Sequence, residues 1–324
     1  MGVIDSLSAG YRFLGRRLEL LLLPVLLDLL LWLAPRLSIN PLFIQVADFY
    51  GRAASMEGMP PDMAQMAGQA ATLLGEIGRN SNLLDLLVSS SLLHVPSLLV
   101  ALGPLPGARV VEVDNPWAAA GYAGILGLLG LLIGVIYINL LARRLPLGST
   151  PKWLSPPELF KVALRQWGRV VAFVLVVAVG LGTAAIPMLM GTAILTLLSP
   201  ALGSLVMLLF SGMIMVLFFY LYFVTVGLVM DNLPLHVAIM RSFLLVRRNF
   251  WATLGFVFLT NLITLGFALI MSRIATYPPL GTVAAIGINA YIGSGLTMAL
   301  LVFYRTRVLH TLEGNQANGG LGEL

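Results

Sequence analysis

The sequence predicts an all-α polytopic membrane protein. Of its 324 residues, 59% are hydrophobic and only 10% charged, and the mean hydropathy is +0.95. Several apolar runs also exceed the roughly 20 residues an α-helix needs to cross a hydrocarbon core of about 30 Å. These runs are apolar on every side, whereas a membrane barrel alternates polar and apolar residues along each strand. There is no Cys, which excludes disulfides, thiolate metal sites and Cys nucleophiles. The net charge of +5 comes from Arg-rich loops beside apolar runs. Such loops orient a membrane protein and meet anionic headgroups, so no nucleic acid partner is implied.

Taken in order, residues 3–17 read as a short amphipathic helix. Ile4, Leu7, Tyr11, Leu14 and Leu18 share one face, and Asp5 or Ser6 can cap the start. A first span follows over 18–34, with a kink expected at Pro24. Asp28 interrupts its core, and Trp32, Pro35 and Arg36 follow it, which argues against a cleaved signal peptide. Residues 36–115 are the least hydrophobic part and read as an extracytoplasmic helical insertion. Two surface helices there are broken by Gly58-Met59-Pro60-Pro61. Residues 82–103 carry Asp85, Ser89 to Ser91, His94 and Pro96, so they read as interfacial or re-entrant rather than as a span. Further spans are expected at 117–141, 170–198, 201–229, 251–272 and 281–304. A disordered tail from Glu313 would close a single membrane domain of residues 1–312.

This six-span layout puts fourteen basic residues on the side of the N-terminus and five on the other. The positive-inside rule then places both termini in the cytoplasm. In the second span, Gly121, Gly124, Gly127, Gly130 and Gly134 recur at three- and four-residue steps, a stripe on which another helix can pack closely.

Three segments share one plan: SLSAGYRFLGRRLELLLL, PPELFKVALRQWGRVVAFVL and PLHVAIMRSFLLVRRNFWATLGFVFL. Each is an amphipathic helix with basic residues that feeds a span, and each continues as a helical hairpin. The architecture expected is therefore three repeats of cytoplasmic amphipathic helix plus hairpin. In the third, Leu235, Ile239, Phe243, Val246 and Phe250 form an apolar stripe, with Arg241 and Arg248 opposite. Candidate lipid headgroup contacts are Lys161, Arg165, Arg169, Arg241, Arg247 and Arg248. The like-charged pairs Lys161/Arg165 and Arg165/Arg169 would each weaken an isolated helix by a few tenths of a kcal/mol, a penalty that anionic headgroups remove.

The run Asp231-x-x-Pro234-x-x-x-Ala238-x-x-Arg241-Ser242-x-x-x-Val246-Arg247-x-Asn249-Phe250-Trp251 resembles the signature of a bacterial integral membrane family. That family comprises the membrane domain found ahead of some glycerophosphodiester phosphodiesterases and its free-standing six-span relatives. The N-terminal stretch SAGYRFLGRRLELLLLPVLLDLLLW is similar to such proteins as well. The resemblance implies a membrane module, and with it a bacterial inner membrane as its location. Catalysis in the fused proteins belongs to a separate soluble barrel, and this sequence has no soluble stretch long enough for one, so that activity is not carried over.

Candidate intramembrane polar residues are Asp28, Asn139, Asn261 and Asn289. An ionisable group in a span is a functional candidate by default. Alternatively Asp28 is protonated, or pairs with an Arg or a span amide, while Asn261 and Asn289 bond to each other. HExxH, P-loop and nucleophile-elbow patterns are absent, and no catalytic residue, metal or cofactor is expected. The reading is a non-enzymatic module that organises lipid or a partner membrane protein. A transporter with a polar site in the membrane is the alternative, and a lipid enzyme built on Asp28, Asp85 and His94 a more distant one.

Overall fold

The computed structural model describes residues 2–89, 95–103, 109–145 and 155–317, with the side chains of 200 and 311–317 left aside. Helices follow in the order α1 (Val3–Leu14), α2 (Leu22–Leu33), α3 (Asn40–Ala54), α4 (Pro61–Asn80), α5 (Leu98–Leu102) and α6 (Pro116–Ala142). Then come α7 (Pro156–Leu198), α8 (Pro200–Tyr220), α9 (Val224–Met230), α10 (Leu235–Arg248), α11 (Phe250–Ile274) and α12 (Leu280–Ala317). The short strands β1 (Arg36–Ser38) and β2 (Val110–Glu112) pair in parallel, with Leu37 opposite Val111.

Among the described residues, five stretches are long and apolar enough to cross a membrane: α6, α7, Ala201–Met230, α11 and Leu280–His310. The protein is an all-α polytopic membrane protein. Half of the most apolar window is buried in α6 and in α12 (50% and 56%), against 11% in each of the other three. Of these five stretches, those in α6 and α12 are thus the most enclosed by protein.

The chain forms two compact units. One comprises Met1–Arg17, Val135–Leu262 and Gly295–Leu324, and the other Leu18–Gly134 and Ile263–Ser294. In the first, the core gathers on the C-terminal part of α12. Phe303 stacks on Phe256 at 4.7 Å and on Phe223 at 6.0 Å, and Leu14 and Tyr304 are fully buried. In the second, Leu98, Met271, Ala275, Ala285 and Ile286 form a cluster flanked by Val25, Leu29 and Trp32.

The segment read as a first span is not one helix. Leu18–Leu21 is a 3-10 turn, and α2 covers only twelve residues, about 18 Å of rise. The cause is Pro24, the third residue of α2. It has no N–H to bond the carbonyl of Leu20, so the α-helical ladder restarts around it, in the first turn where a proline is tolerated.

Of the three segments read as surface helices, the first and third form the separate helices α1 and α10, whereas the second runs unbroken into the apolar stretch that follows as α7, 43 residues long. Ser155 and Glu158 form the capping box that starts α7, and these hydrogen bonds hold the exposed Glu158 carboxyl below its usual range. Pro187 lies inside α7 without ending it. α8 and α9 divide the expected fourth span at Leu221–Phe223. α12 continues to Ala317, past Glu313, where an irregular tail was expected; 318–324 lie outside the described residues.

The packed faces of α1 and α10 combine small residues with large apolar ones. On α1, Ser6, Leu7, Gly10 and Leu14 are buried while Ile4 is exposed, as is Leu18 in the turn that follows. On α10, Ala238, Ser242 and Val246 are buried while Phe243 is exposed. In both, small, small and large side chains follow at four-residue steps on the packed face. A Cβ on Gly10 would lie 2.5 Å from the Ala299 backbone nitrogen, so α1 lies flush on α12, and Tyr11 fills the space over Gly295. In the other unit Pro96 covers Gly293, and Ser294 is fully buried. The Gly293-Ser294-Gly295 run is a packing notch.

The glycine stripe of α6 is used at one of the positions described. Gly130 meets the backbone of Leu86, while Gly121, Gly124 and Gly127 have nothing near where a Cβ would stand. Substituting leucine should therefore separate these positions. Gly10→Leu should overpack the α1–α12 contact and destabilise by at least about 1–3 kcal/mol, and Gly124→Leu should leave the melting temperature of the purified protein nearly unchanged.

Candidate functional site

The densest polar cluster is built on Asp231, at the end of α9. One carboxylate oxygen accepts from Arg241 on α10 and from the Tyr304 hydroxyl on α12, both at 2.8 Å, and the other accepts from Arg305 at 2.9 Å. Asp231 and Arg305 are mostly shielded (11% and 16% exposed), and Arg241 less so (34%). Water screens such pairs only partly, so they hold α9, α10 and α12 together more firmly than a surface ion pair would. About three of the four acceptor positions of the carboxylate are filled. It is therefore a structural anchor with most of its acceptor capacity committed to the fold.

Residues 232 and 233 are held from a second direction. Arg169 on α7 donates to the Asn232 carbonyl at 2.7 Å, to its side-chain oxygen at 3.0 Å and to the Leu233 carbonyl at 3.1 Å. Asn232 has φ of 53°, a left-handed conformation that Asn tolerates better than most residues. That turn reverses the chain between α9 and α10.

Ser242 closes the break between α8 and α9. Its hydroxyl donates to the Tyr220 carbonyl at 2.7 Å and accepts from the Phe223 amide at 3.1 Å. Both backbone groups would otherwise be left unpaired in an apolar setting, at a cost of several kcal/mol each. Ala238 packs near Gly227, and Asn249 bonds back to Leu245 at 3.1 Å where α10 gives way to α11. Asp231, Ala238, Arg241, Ser242 and Asn249 thus each have a folding role.

Of the six candidate headgroup contacts, Arg169 and Arg241 are committed to protein partners. Lys161, Arg165, Arg247 and Arg248 are exposed, and none of the four forms an ion pair among the described residues. Large apolar side chains stand exposed on the same helices: Phe160 and Leu164 on α7, Met240 and Phe243 on α10, and Trp251 just beyond.

Of the candidate intramembrane residues, Asp28 and Asn289 belong to one compact unit and Asn139 and Asn261 to the other, and within each unit no hydrogen bond joins the two among the described residues. Asp28 is fully buried and holds the start of α5, accepting from the Ser97 hydroxyl and from the Leu98 amide at 2.9 Å. It thus supplies the acceptor that the first amides of a helix lack, and among the described residues it is neither an ion-pair partner nor bonded to a span amide. Asn139 donates to the Val135 carbonyl at 2.9 Å and to Gln166 at 2.6 Å, and Gln166 donates to the Val229 carbonyl at 2.9 Å. This chain ties α6, α7 and α9 together. Asn261 is exposed and bonds its own helix at Val257 (2.8 Å), and Asn289 is half-buried.

Gln166, Ser97 and Tyr304 were not among the residues singled out from sequence. Gln166 carried a signal, as an uncharged polar residue between the apolar positions Ala163 and Val170 of one face. His94 lies outside the described residues, so its meeting with Asp85 and Asp28 is not described. No group of three His, Cys, Asp or Glu suited to a metal ion is found among the described residues.

Between β1 and α6, Asn82 organises a polar junction. Its side-chain oxygen accepts from Leu37 at 3.1 Å and Leu84 at 3.2 Å, and its amide donates to Asp85 at 2.8 Å. Burial pushes the Asp85 carboxyl up to about 6, although the Asn82 bond and the Arg36 charge pull it down. No family model, curated protein or solved structure matches the chain.

Two outcomes follow. Asp231→Ala leaves two guanidiniums and a buried phenol without their acceptor, and should destabilise by about 3–5 kcal/mol in thermal or denaturant unfolding. Asp85 has a folded pKa of about 6 against 3.8 unfolded, so its stabilising contribution is present below about 4 and lost as pH rises through about 6. Asp85→Asn should flatten the melting-temperature profile across that window.

Proposed function

We propose that the protein is a non-enzymatic module of a bacterial inner membrane that gathers anionic phospholipid at its basic helices, and that it belongs to the six-span family its Asp231–Trp251 run resembles. One observation carries this reading. Lys161, Arg165, Arg247 and Arg248 are exposed and without ion-pair partners among the described residues, beside exposed large apolar side chains. Such a combination suits an interface where headgroup phosphates meet acyl chains. The transporter reading weighs less, because Asp28 and Asn139 are occupied by helix capping and helix packing.

The proposed topology has both termini in the cytoplasm and six crossings. The 3-10 turn and α2 together rise about 26 Å, since a 3-10 turn advances about 2.0 Å per residue against 1.5 Å in an α-helix. That is close to the thickness of a hydrocarbon core. The compact units support the same orientation. The unit holding both termini contains fourteen of the nineteen basic residues and the other contains five.

The experiment is a lipid titration by native mass spectrometry. Protein in neutral detergent would be titrated with phosphatidylglycerol or phosphatidylcholine. Reversing Lys161, Arg165, Arg247 and Arg248 to Glu should weaken phosphatidylglycerol binding by more than about tenfold, given roughly 1 kcal/mol per basic residue near an anionic surface. Unchanged retention of the anionic lipid would sink the reading. Arg241 is unsuitable for this test, because its loss also breaks the ion pair to Asp231.

A further inference from the structure

The hairpin of α3 and α4 carries an apolar surface that the described residues leave open. Its two helices are antiparallel. Gly78, near the end of α4, lies against Phe43, near the start of α3, and a Cβ there would stand 2.6 Å from that of Phe43. Ala67, Ala71 and Leu74 share this α3-facing side by helical spacing. Asp62, Gln65, Gln69, Thr72 and Glu76 make a polar side.

Between these two sides, Met63, Met66, Ala70, Leu73 and Ile77 recur at alternating steps of three and four residues. The four large ones are 49%, 64%, 58% and 53% exposed. On α3, Leu42, Val46, Phe49 and Ala53 repeat the alternation, with Val46 and Phe49 exposed. In both helices the stripe lies on the same rotational side of the α3–α4 contact, so antiparallel pairing puts the two stripes on one side of the hairpin. A strip this narrow and this regular has the form of a coiled-coil seam.

We propose that this surface seats the same surface of a second copy of the chain, making a four-helix contact across a two-fold axis. The α4 stripe is nearly palindromic about Ala70. An antiparallel pairing centred there sets Met63 against the partner's Ile77 and Met66 against the partner's Leu73, as an isologous contact requires. Ala70, the smallest member, falls at the crossing, where the helix axes come closest.

The extent is sufficient for such a contact. With 15 and 20 residues, the helices are about 22 and 30 Å long. Strips about 10 Å wide along them offer roughly 500 Å² per copy, or about 1,000 Å² in all. That is the threshold for a specific contact, and anchoring both copies in one bilayer raises their effective concentration. Charge argues against an anionic lipid surface as the occupant. Residues 40–80 hold Asp48, Glu57, Asp62 and Glu76 against Arg52 and Arg79, whereas helices that lie on such membranes are rich in Lys and Arg.

The test uses the absence of native cysteine. Full-length protein carrying Ala70→Cys would be mildly oxidised in its own membrane and read as covalent dimer. It should form a homodimer band, and Thr72→Cys on the polar side should not. Met63→Cys alone should stay monomeric, while Met63→Cys with Ile77→Cys should crosslink. Adding Met66→Glu and Leu73→Glu to Ala70→Cys should abolish the dimer and leave the melting temperature unchanged, because both side chains are exposed within one chain. Equal crosslinking at positions 70 and 72 would overturn the proposal. So would a Leu73→Cys thiol reached only by membrane-soluble reagents, or crosslinks made solely to other proteins.

Discussion

The structure depends on one carboxylate. Asp231 stands at the end of a short helix, takes hydrogen bonds from α10 and α12, and begins the turn that Arg169 clamps from α7. Four helices are set by groups within three consecutive residues. Partial burial makes this arrangement strong and also makes it demanding. A charge taken out of water must be matched, and two guanidiniums and a phenol match it.

The overall class was legible from composition alone, because a run of about 20 apolar residues has few other uses. The locations of α6, α11 and the apolar part of α12 followed closely. What the sequence misled about was facing. In water, a large apolar side chain points inward and periodicity finds the core. In a bilayer, lipid receives large apolar side chains as readily as protein does, and helices meet through small residues. Hence Ile4 and Phe243 point outward while Gly10, Ala238 and Ser242 point in. The apolar stripes read from periodicity were real patterns, but only Leu7, Leu14 and Val246 among their members are buried.

The candidate polar residues show a second limit. Asp28 and Asn139 stood out because polar groups in apolar runs are costly, and both are indeed buried. Their partners, Ser97 and Gln166, are distant in sequence and ordinary in type, so nothing local announced them. Each pairing closes a hydrogen-bond deficit that exists only once the helices are assembled. The breaks in the chain were legible where proline caused them, as at Pro24. The break between α8 and α9 was not, because its remedy lies on another helix.

That break has a consequence for how the chain is made. Its open ends at Tyr220 and Phe223 wait for a hydroxyl 22 and 19 residues further on, and Asp231 waits for groups 73 and 74 residues away. During synthesis α8 and α9 emerge with backbone groups and a carboxylate unmatched. α10 can satisfy the first and part of the second, but the remaining partners arrive only with α12. A ribosome that stops before residue 304 would leave in the membrane a set of helices whose buried carboxylate lacks two of its three partners.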